Sequence, residues 1–422
     1  MQSTRIFAGR LQFSLKGTMK ILQINCVYPK GSTGKLTQIL HEGLKKRNFK
    51  SAVLYGRGKK IDAPYIHYVC GDIRGKLNHA LSRVTGLMYG GCYASTQKIK
   101  KIIRKQQPDV VHLQCINGYF VNIYNLVDWL KKSGIAVVVT LHAEFMYTAN
   151  CSYSYDCDGW LEGCTNCQRC RQETESIFFN NTAKSFEKMR KSFEGFNDSL
   201  AIVSVSPWLL ERAKRSVILK DKRHLCIYNG VDTGVFCRYE DDSLKKELCP
   251  NGEKMIFHAT AYFSDDVDDR KGGVWLLRLA QQMKDENVRF VVAGDYSVKQ
   301  PLPDNVVLLG KIADQHKLAK LYSAADVTLM LSKKETFSMV VAESLCCGTP
   351  IVGFEAGAPE QISIPQYSDF YQQGDLDGVR SGVEKWLIDC GVSKEDIAQK
   401  AKEVYSTEKM VEDYIELYRS FK

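Results

Sequence analysis

The chain has no long hydrophobic run, and this argues against two kinds of segment. No apolar stretch reaches the roughly 18 residues that a membrane-spanning helix requires. Residues 1–18 carry basic side chains but no apolar stretch long enough for a secretory signal. Met19 opens a strand-like run, so we expect the natural start there and a disordered extension over residues 1–18. Without an export signal, the expected location is the cytoplasm.

Low-complexity tracts, short-period repeats and known DNA- or RNA-binding motifs are also missing. The first two absences argue against a disordered or repeat protein, and the third argues against a nucleic-acid partner despite the net charge of +10. The apolar fraction of 44% and the charged fraction of 25% are typical of a soluble globular protein, and 422 residues are enough for two domains.

The basic residues cluster near the front of the chain, as in Lys98–Lys105 (KIKKIIRK). Ile99, Ile102 and Ile103 share one face of a helix there, and the cations occupy the other face. One interpretation is the solvated face of a surface helix. The other is a patch that makes peripheral contact with anionic lipid at the inner face of a membrane.

Short apolar runs rich in β-branched residues alternate with helical patterns along the chain. In the first half the predicted strands are Met19–Asn25, Ala52–Tyr55, Asp109–Leu113, Ala136–Leu141 and Ala201–Ser204. In the second half they are Met255–Ala259, Val288–Ala293, Asn305–Leu309, Val327–Leu331 and Pro350–Phe354. Continuous apolar strands that alternate with helices predict an α/β protein with two doubly wound parallel sheets.

The turn-rich segment Tyr228–Asp232 (YNGVD) separates the two halves and is the expected hinge. We therefore predict a first domain over residues 19–232, which includes a cysteine-rich loop at 151–170, and a second domain over 237–400. Residues 401–422 are expected to form a C-terminal helix that packs back on the first domain.

Open parallel sheets bind ligands at the carboxyl ends of their strands. The candidate residues that follow strands are His112, His142, Gly294 and Glu335. In the first domain, a loop with Gly31 and Gly34 follows the first strand and precedes a helical pattern from Leu36 to Arg47.

The stretch Glu335–Glu343 (ETFSMVVAE) places two carboxylates eight positions apart around an apolar run. A helix is predicted to begin near Ser338, so the amides around Phe337–Val340 would lack partners within the helix. Such a helix N-terminus suits a phosphate, and the two carboxylates suit sugar hydroxyls. The alternative is a pair of surface glutamates on a loop and a helix.

Arg270-Lys271-Gly272 follows the first strand of the second domain. Its cations are suited to a diphosphate, and Gly272 allows a close approach of the backbone. The preceding run Asp265–Asp269 (DDVDD) has two interpretations, a solvated loop or an occasional site for a divalent cation.

With these motifs the chain resembles the retaining glycosyltransferases of family 4, which have the GT-B fold of two Rossmann-like domains facing a central cleft. The resemblance rests on the E-x7-E motif of Glu335 and Glu343, on Arg270-Lys271-Gly272, on Asn229–Asp232 and on Gly348–Val352. More narrowly, the chain resembles bacterial transferases of colanic-acid and capsular polysaccharide synthesis in Asp109–His112, Thr140–Phe145 (TLHAEF) and the cysteine cluster.

The resemblance implies how the donor diphosphate is bound. Lys271, with Arg270, would neutralise it, and the helix start at Phe337, Ser338 and Met339 would bind it through backbone amides. The glycine-arginine pair usual in the family is absent, because Thr260-Ala261 stands in its place. The second cation of the site is therefore not assigned.

The resemblance also implies roles around the sugar. Glu335 would contact the donor sugar, Glu343 would hold the ribose, and His142 would lie near the donor sugar, so that His142, Glu335 and Lys271 form the expected catalytic set. The expected backbone approaches to donor or acceptor lie at Gly31, Gly34 and Gly294.

The resemblance implies an enzyme. It would be a retaining hexosyltransferase that moves a sugar from a UDP- or GDP-sugar to a polysaccharide or lipid-linked oligosaccharide in capsule or exopolysaccharide synthesis, without a catalytic metal. In the front-face route usually proposed for the family, the leaving phosphate helps to deprotonate the acceptor hydroxyl. The alternatives are an epimerase or phosphorylase of similar fold, and a non-catalytic protein that binds nucleotide sugars or nucleic acid.

Five of the fifteen cysteines crowd into residues 151–170, a loop with little expected core of its own. A metal would stabilise such a loop. The predicted arrangement is a closed structural zinc site made by Cys151, Cys157, Cys164 and Cys167. Cys170 is an alternative fourth ligand, and reduced thiols or disulfides are the other two interpretations.

Overall fold

The computed structural model describes residues 18–165, 167–388 and 391–421. The extension expected before Met19 therefore lies outside the described residues, apart from residue 18. The strands are β1 Lys20–Val27, β2 Lys50–Arg57, β3 Ile66–Tyr68, β4 Val110–Leu113, β5 Ala136–Leu141, β6 Leu200–Ser204, β7 Arg223–Cys226, β8 Lys254–Ser264, β9 Val288–Ser297, β10 Val306–Leu308, β11 Val327–Met330, β12 Ile351–Phe354 and β13 Ser368–Tyr371.

Helices connect most of these strands. In the first half they are α1 Gly31–Lys46, α2 Asp72–Thr85, α3 Tyr93–Gln106, α4 Ile123–Ser133, α5 Phe145–Thr148, α6 Cys170–Glu173, α7 Thr182–Phe193 and α8 Pro207–Arg215. In the second half they are α9 Ser243–Leu248, α10 Gly273–Gln282, α11 Gln315–Ala324, α12 Met339–Cys346, α13 Pro359–Ile362, α14 Leu376–Leu387, α15 Lys394–Tyr405 and α16 Thr407–Arg419.

The first half forms a seven-stranded sheet in the order β3-β2-β1-β4-β5-β6-β7, and each neighbouring pair is parallel. Its central strands are buried along almost their whole length, as the apolar runs predict. The edge strands β3 and β7 were not predicted from the sequence. They are short and only partly buried, so they carry no continuous apolar run.

The second half repeats this arrangement with a six-stranded parallel sheet in the order β10-β9-β8-β11-β12-β13. The predicted pair of parallel-sheet α/β domains is therefore confirmed. Strands β8 and β9 run past their predicted ends, and a bulge between Ala259 and Tyr262 interrupts their pairing. This irregularity contains Thr260-Ala261, the pair that replaces the expected glycine-arginine motif.

The chain crosses between the two halves at Val231. Its amide donates to the carbonyl of Tyr405 at 2.7 Å, and its carbonyl accepts from the amide of Thr407 at 3.1 Å. Helix α16 then packs on the first sheet, where its apolar face joins residues of β1, β4 and β5 in one buried cluster. The hydroxyls of Tyr418 and Thr140 are hydrogen-bonded to the two ring nitrogens of His112, at 2.6 and 2.7 Å. This strand-end histidine is therefore a buried structural residue.

The basic segment Lys98–Lys105 lies in α3, and its apolar face is not free. Ile99 and Ile103 are fully buried in the core, and the ammonium of Lys100 donates to the side-chain oxygen of Asn125 at 2.7 Å. This helix therefore has the solvated face of the first interpretation. Among the described residues, no helix combines the length and hydrophobicity that crossing a bilayer would demand.

Candidate active site

A cavity of about 330 Å³ opens in the second domain at the carboxyl ends of β8, β9 and β11. Strands β8 and β11 are neighbours, and the connections leave them in opposite directions across the sheet. This is the topological switch point, where open parallel sheets bind their ligands. The side chains that carry charge in its lining are Lys271, Lys311, Glu335 and Glu343.

Lys271 and Glu335 form an ion pair in this cavity, with 2.6 Å between Nζ and Oε1. The backbone of Glu335 is held on both sides, because its amide donates to the carbonyl of Ala356 at 3.0 Å and its carbonyl accepts from the amide of Ala358 at 3.3 Å. The pair is only 27% and 14% exposed, so both groups have a fixed place at the cavity wall. An anionic phosphate entering the cavity would compete with the carboxylate for the ammonium.

Gly272, next to Lys271, lies in the left-handed region at φ +78°. A Cβ there would meet the carbonyl oxygen of Leu331 at 2.1 Å, so the position requires glycine. Helix α10 begins directly after it, which fixes the position of Lys271 against β11. Gly294 also lines the cavity, and a Cβ on it would meet the carbonyl oxygen of Thr260 at 2.2 Å.

The predicted helix after Glu335 begins at Met339, and its N-cap Ser338 has φ 78° and ψ 94° with no side-chain cap. A positive φ is strained for serine, and such strain is concentrated at functional sites. Ser338 lines the cavity, whereas the ring of Phe337 is buried against Tyr228 at 5.8 Å. The uncapped amides of this helix start are available to an anion.

Glu343 lines the same cavity from the second turn of α12, and its Oε2 accepts a hydrogen bond from the hydroxyl of Tyr322 at 3.3 Å. Burial raises the pKa of this carboxyl to about 7, and the Tyr322 hydrogen bond and the charge of Lys35 oppose the shift. Lys35 belongs to α1 of the first domain, so the cavity faces a cation from across the cleft.

His142 lies at the end of β5, and its Nε2 is 2.8 Å from Oε1 of Gln114. The amide nitrogen of Gln114 donates to Oε1 of Gln23 at 3.2 Å, so the oxygen of Gln114 faces the histidine. His142 must therefore carry its proton on Nε2. Burial lowers its pKa to about 4, which keeps the ring neutral at physiological pH.

The glycines of the first domain belong to a helix start and not to a loop. Helix α1 begins at Gly31, five residues before the predicted Leu36. A Cβ on Gly34 would lie 3.2 Å from the backbone carbonyls of Val27 and Pro29. Gly34 therefore allows the first turn of α1 to pack tightly against the end of β1, and neither glycine lines the cavity of the second domain.

Arg270 does not share the cavity of Lys271. Its guanidinium stacks over the ring of Tyr153 in the cysteine-rich loop, 4.6 Å from the ring centroid. Both residues line a separate polar cavity of about 740 Å³ between the two domains. The cation that does join Lys271 is Lys311, which follows β10 and pairs with Asp295 at 3.2 Å. Lys311 follows a predicted strand, which could have indicated a place in the site from the sequence alone, but no motif marks this lysine.

The aspartate run 265–269 accepts hydrogen bonds from backbone amides of its own loop and of the loop that follows β9. Asp265 accepts from the amides of Lys299 and Gln300 at 2.9 and 3.0 Å, and Asp269 accepts from the amide of Lys271 at 3.0 Å. Across the part of the chain that the structure describes, no group of three or more His, Cys, Asp or Glu side chains is arranged to hold a metal ion. These contacts fit the interpretation of Asp265–Asp269 as a solvated loop rather than as a site for a divalent cation.

The cysteines of the 151–170 loop are part of the same finding. Among the described residues, the expected zinc ligands Cys151, Cys157, Cys164 and Cys167 form neither disulfides nor a preformed metal-ligand group, and the zinc site stays a prediction. The loop has a core that the sequence pattern did not reveal. Trp160 is 1% exposed, packs edge-on against Tyr147 at 5.2 Å and lies under the guanidinium of Arg212.

Arg212 also pairs with the fully buried Glu144 at 2.8 Å. Glu144 accepts further hydrogen bonds from the hydroxyl of Tyr147 at 2.5 Å and from the amide of Ser154 at 2.5 Å. This satisfied ion pair and Trp160 attach the loop to α8 and to the segment that follows β5.

Two Rossmann-like domains with a charged cavity at the switch point are the arrangement of the GT-B fold, and the family models identify the class of enzyme. Residues 34–235 match the model of "Glycosyltransferase Family 4", and residues 259–406 match that of "Glycosyl transferases group 1". The chain belongs to the family 4 glycosyltransferases and is an enzyme of that class.

Relatives and solved structures agree with this assignment. The colanic acid biosynthesis glycosyl transferase WcaC of Escherichia coli is 20% identical over 95% of this chain and 100% of its own length. N-acetyl-alpha-D-glucosaminyl L-malate synthase of Bacillus anthracis is 26% identical over 53% of this chain and 60% of its own length.

Among solved structures, sucrose-phosphate synthase from Thermosynechococcus elongatus superposes with a TM-score of 0.69 at 16% identity, covering 95% of this chain and 98% of that one. Anabaena HepE in complex with UDP-glucose superposes with a TM-score of 0.61 at 13% identity, covering 95% of this chain and 100% of that one. These similarities establish the GT-B fold.

Proposed function

We propose that this glycosyltransferase is a retaining enzyme that transfers a hexose from a UDP- or GDP-sugar to a polysaccharide or lipid-linked oligosaccharide. The observation that carries the proposal is the cavity in which Lys271, Glu335 and Glu343 meet at the switch point. It offers a cation for a diphosphate and two carboxylates for hydroxyls, which is the set of groups that a sugar nucleotide needs.

In this proposal the diphosphate binds at the uncapped start of α12 and forms an ion pair with the ammonium of Lys271. The ion pair between Lys271 and Glu335 is then broken. Lys311 in the cavity lining and Lys35 across the cleft add positive charge. Glu343, in the second turn of the helix, accepts hydrogen bonds from the ribose hydroxyls. Glu335, released from Lys271, accepts them from the donor sugar, and neutral His142 lies on the facing side of the cleft.

The transfer itself breaks the bond between the anomeric carbon and the diphosphate oxygen and forms the bond to the acceptor oxygen on the same face of the sugar. The acceptor proton passes to the departing diphosphate. Lys271 and the α12 amides stabilise the charge that develops on this leaving group, and the protein contributes mainly position and electrostatics.

The polar cavity between the domains is the proposed acceptor site. Tyr153 and Arg270 line it. Burial raises the pKa of Tyr153 to about 12, and the nearby carboxylate of Glu335 raises it further. Because Tyr153 lines the acceptor cavity and Glu335 lines the donor cavity, the two cavities are neighbours.

The relative WcaC is named for colanic acid biosynthesis, which supports a capsule or exopolysaccharide product. We place the enzyme in the cytoplasm, peripheral at the inner face of the membrane.

The test is a thermal-shift screen with UDP-, GDP- and ADP-sugars, because a ligand that binds the folded state raises the melting temperature. One UDP- or GDP-sugar should stabilise the protein, and Glu343→Ala should weaken its affinity about tenfold to hundredfold through lost hydrogen bonds to a charged group. Glu403→Ala, an exposed carboxylate on α15, is the matched control and should leave the shift unchanged. An unchanged shift in Glu343→Ala would remove the ribose assignment.

A further inference from the structure

Helix α2 exposes an unbroken apolar stripe. Ile73, Leu77, Leu81 and Val84 are 78%, 65%, 53% and 43% exposed, and their spacing places them on one face of the helix. Single exposed apolar residues are ordinary, but a continuous row is typical of a surface that meets a partner or a membrane. This distinguishes α2 from α3, whose isoleucines are in the core.

A neighbouring segment extends the stripe. The amide of Ile177 donates to the carbonyl of Arg83 at 2.8 Å, which attaches residues 177–179 beside the end of α2. Phe178 and Phe179 are 69% and 59% exposed there. We call the combined patch the α2 surface; it consists of Ile73, Leu77, Leu81, Val84, Ile177, Phe178 and Phe179.

Cations without close carboxylate partners surround the α2 surface. Arg74 and Lys76 on α2 and Lys188 on α7 are exposed, and within the described residues none of them is in an ion pair. The single acidic residue of α2, Asp72, is already paired with Arg57 at 2.8 Å. An apolar surface with a cationic border is complementary to the interface of a bilayer that contains anionic lipid.

The α2 surface continues into a groove of about 460 Å³. Leu77, Leu81, Leu87 and Tyr93 belong to its apolar lining, and the cations Arg74 and Lys188 line it as well. Apolar side chains beside cations in one groove suit a lipid monolayer, in which acyl chains lie next to charged headgroups.

The position of α2 connects this surface with the cleft. Arg57 ends β2, and its guanidinium bonds both Asp72 at the start of α2 and the carbonyl of Gly118 after β4. Helix α2 therefore begins at the carboxyl edge of the first sheet, the same edge at which His142 lies. A sugar acceptor carried on a membrane lipid would have its head group at this edge.

We propose that the α2 surface docks the enzyme on an anionic membrane, with the stripe inserted among the lipid chains and Arg74, Lys76 and Lys188 at the headgroups. This inference deepens the proposed function, on which it rests for the lipid-linked acceptor. The docking itself does not require the donor cavity.

The test is co-sedimentation of the full chain with vesicles of phosphatidylcholine alone or with 30 mol% phosphatidylglycerol, compared for four proteins. Wild type should bind the anionic vesicles and bind neutral vesicles about tenfold less. Leu77→Ser/Leu81→Ser and Arg74→Gln/Lys76→Gln should each lower the partition about tenfold. Lys101→Gln/Lys105→Gln, the matched change on exposed cations of α3, should keep at least half of the wild-type partition.

Equal binding by the α2 variants, or loss of binding in the α3 variant alone, would overturn the proposal. So would a wild-type dimer in analytical ultracentrifugation that Leu77→Ser/Leu81→Ser converts to a monomer, because a second copy would then cover the stripe. The donor-induced thermal shift of each variant, measured without vesicles, separates this outcome from a failure of the proposed function, since the α2 residues do not line the donor cavity.

Discussion

The hydroxyl of Thr336 donates to the carbonyl oxygen of His142 at 2.9 Å, across the cleft between the two domains. The carbonyl of Thr336 in turn accepts from the hydroxyl of Ser206 at 2.8 Å. Thr336 follows Glu335 directly, so two hydrogen bonds set where the Glu335 loop of one domain lies relative to the histidine of the other.

Removal of the Thr336 hydroxyl should lower the rate of sugar transfer more than it lowers the stability of the fold. Thr336→Val keeps the shape, and we expect about 1 kcal/mol of lost stability from one buried hydrogen bond. We expect kcat/KM to fall about tenfold, because Glu335 and His142 lose their mutual alignment. Nucleotide release assays and chemical denaturation measure the two effects. Thr85→Val, which removes a hydroxyl on α2, is the control, and equal losses in both variants would contradict the alignment argument.

The cations should differ in effect according to the cavity that they line. Lys271→Met should lower kcat about 10²- to 10³-fold, because the ammonium stabilises the leaving group. Lys311→Met should weaken nucleotide affinity only about threefold to tenfold, since its side chain is 71% exposed. Arg270→Met should leave nucleotide affinity unchanged and raise the KM of the acceptor. Isothermal titration with the nucleotide and steady-state kinetics distinguish these outcomes, and a large loss of nucleotide affinity in Arg270→Met would refute the assignment of separate cavities.

The stability of the protein should respond to pH through Glu343. Burial raises the pKa of this carboxyl from 4.5 to about 7, so the folded state binds the proton more tightly than the unfolded state. Its stabilising contribution is therefore fully present below pH 4.5 and is lost as the pH rises through about 7. Glu343→Gln lacks this titration and should gain stability relative to wild type, on the order of 2 kcal/mol by pH 8.

Melting curves at pH 5, 6, 7 and 8 in the absence of nucleotide measure this difference. The advantage of Glu343→Gln should be smallest at pH 5 and should grow with pH. Glu403→Gln, on an exposed surface, should run parallel to wild type. A difference that is constant across the series would show that Glu343 is not the group responsible.

The cysteine-rich loop should depend on Trp160 rather than on metal. Trp160→Ala should cost about 3–5 kcal/mol, because it opens a cavity beneath Arg212. Cys157→Ser/Cys167→Ser should cost less than about 1 kcal/mol, since both side chains are partly exposed. Chelator should leave the melting temperature unchanged. About one zinc per chain by elemental analysis, together with a lower melting temperature in chelator, would instead establish the zinc site predicted from the sequence.

The sequence by itself determined most of the architecture and indicated several residues that line the cavity at the switch point. The β-branched runs specify central parallel strands because both faces of such strands are buried, and this burial leaves a continuous apolar pattern. Glu335 was selected because it follows a strand, and Lys271 and Glu343 were selected from the motifs of the family that the chain resembles; the structure places all three in the lining of one cavity. The edge strands β3, β7 and β13 were missed because half-buried segments leave no such pattern, whereas the edge strand β10 was predicted.

Only the tertiary structure decided which surfaces remain free and which groups meet. Helices α2 and α3 both carry apolar residues at helical spacing, yet α3 buries Ile99 and Ile103 while α2 exposes Leu77 and Leu81, because burial depends on which elements lie beside each helix. Arg270 and Lys271 are adjacent in sequence but point into different cavities, and Lys311 reaches the donor cavity from another strand. Such pairings are set by the directions of side chains and by distances between distant segments, which the order of residues along the chain does not specify.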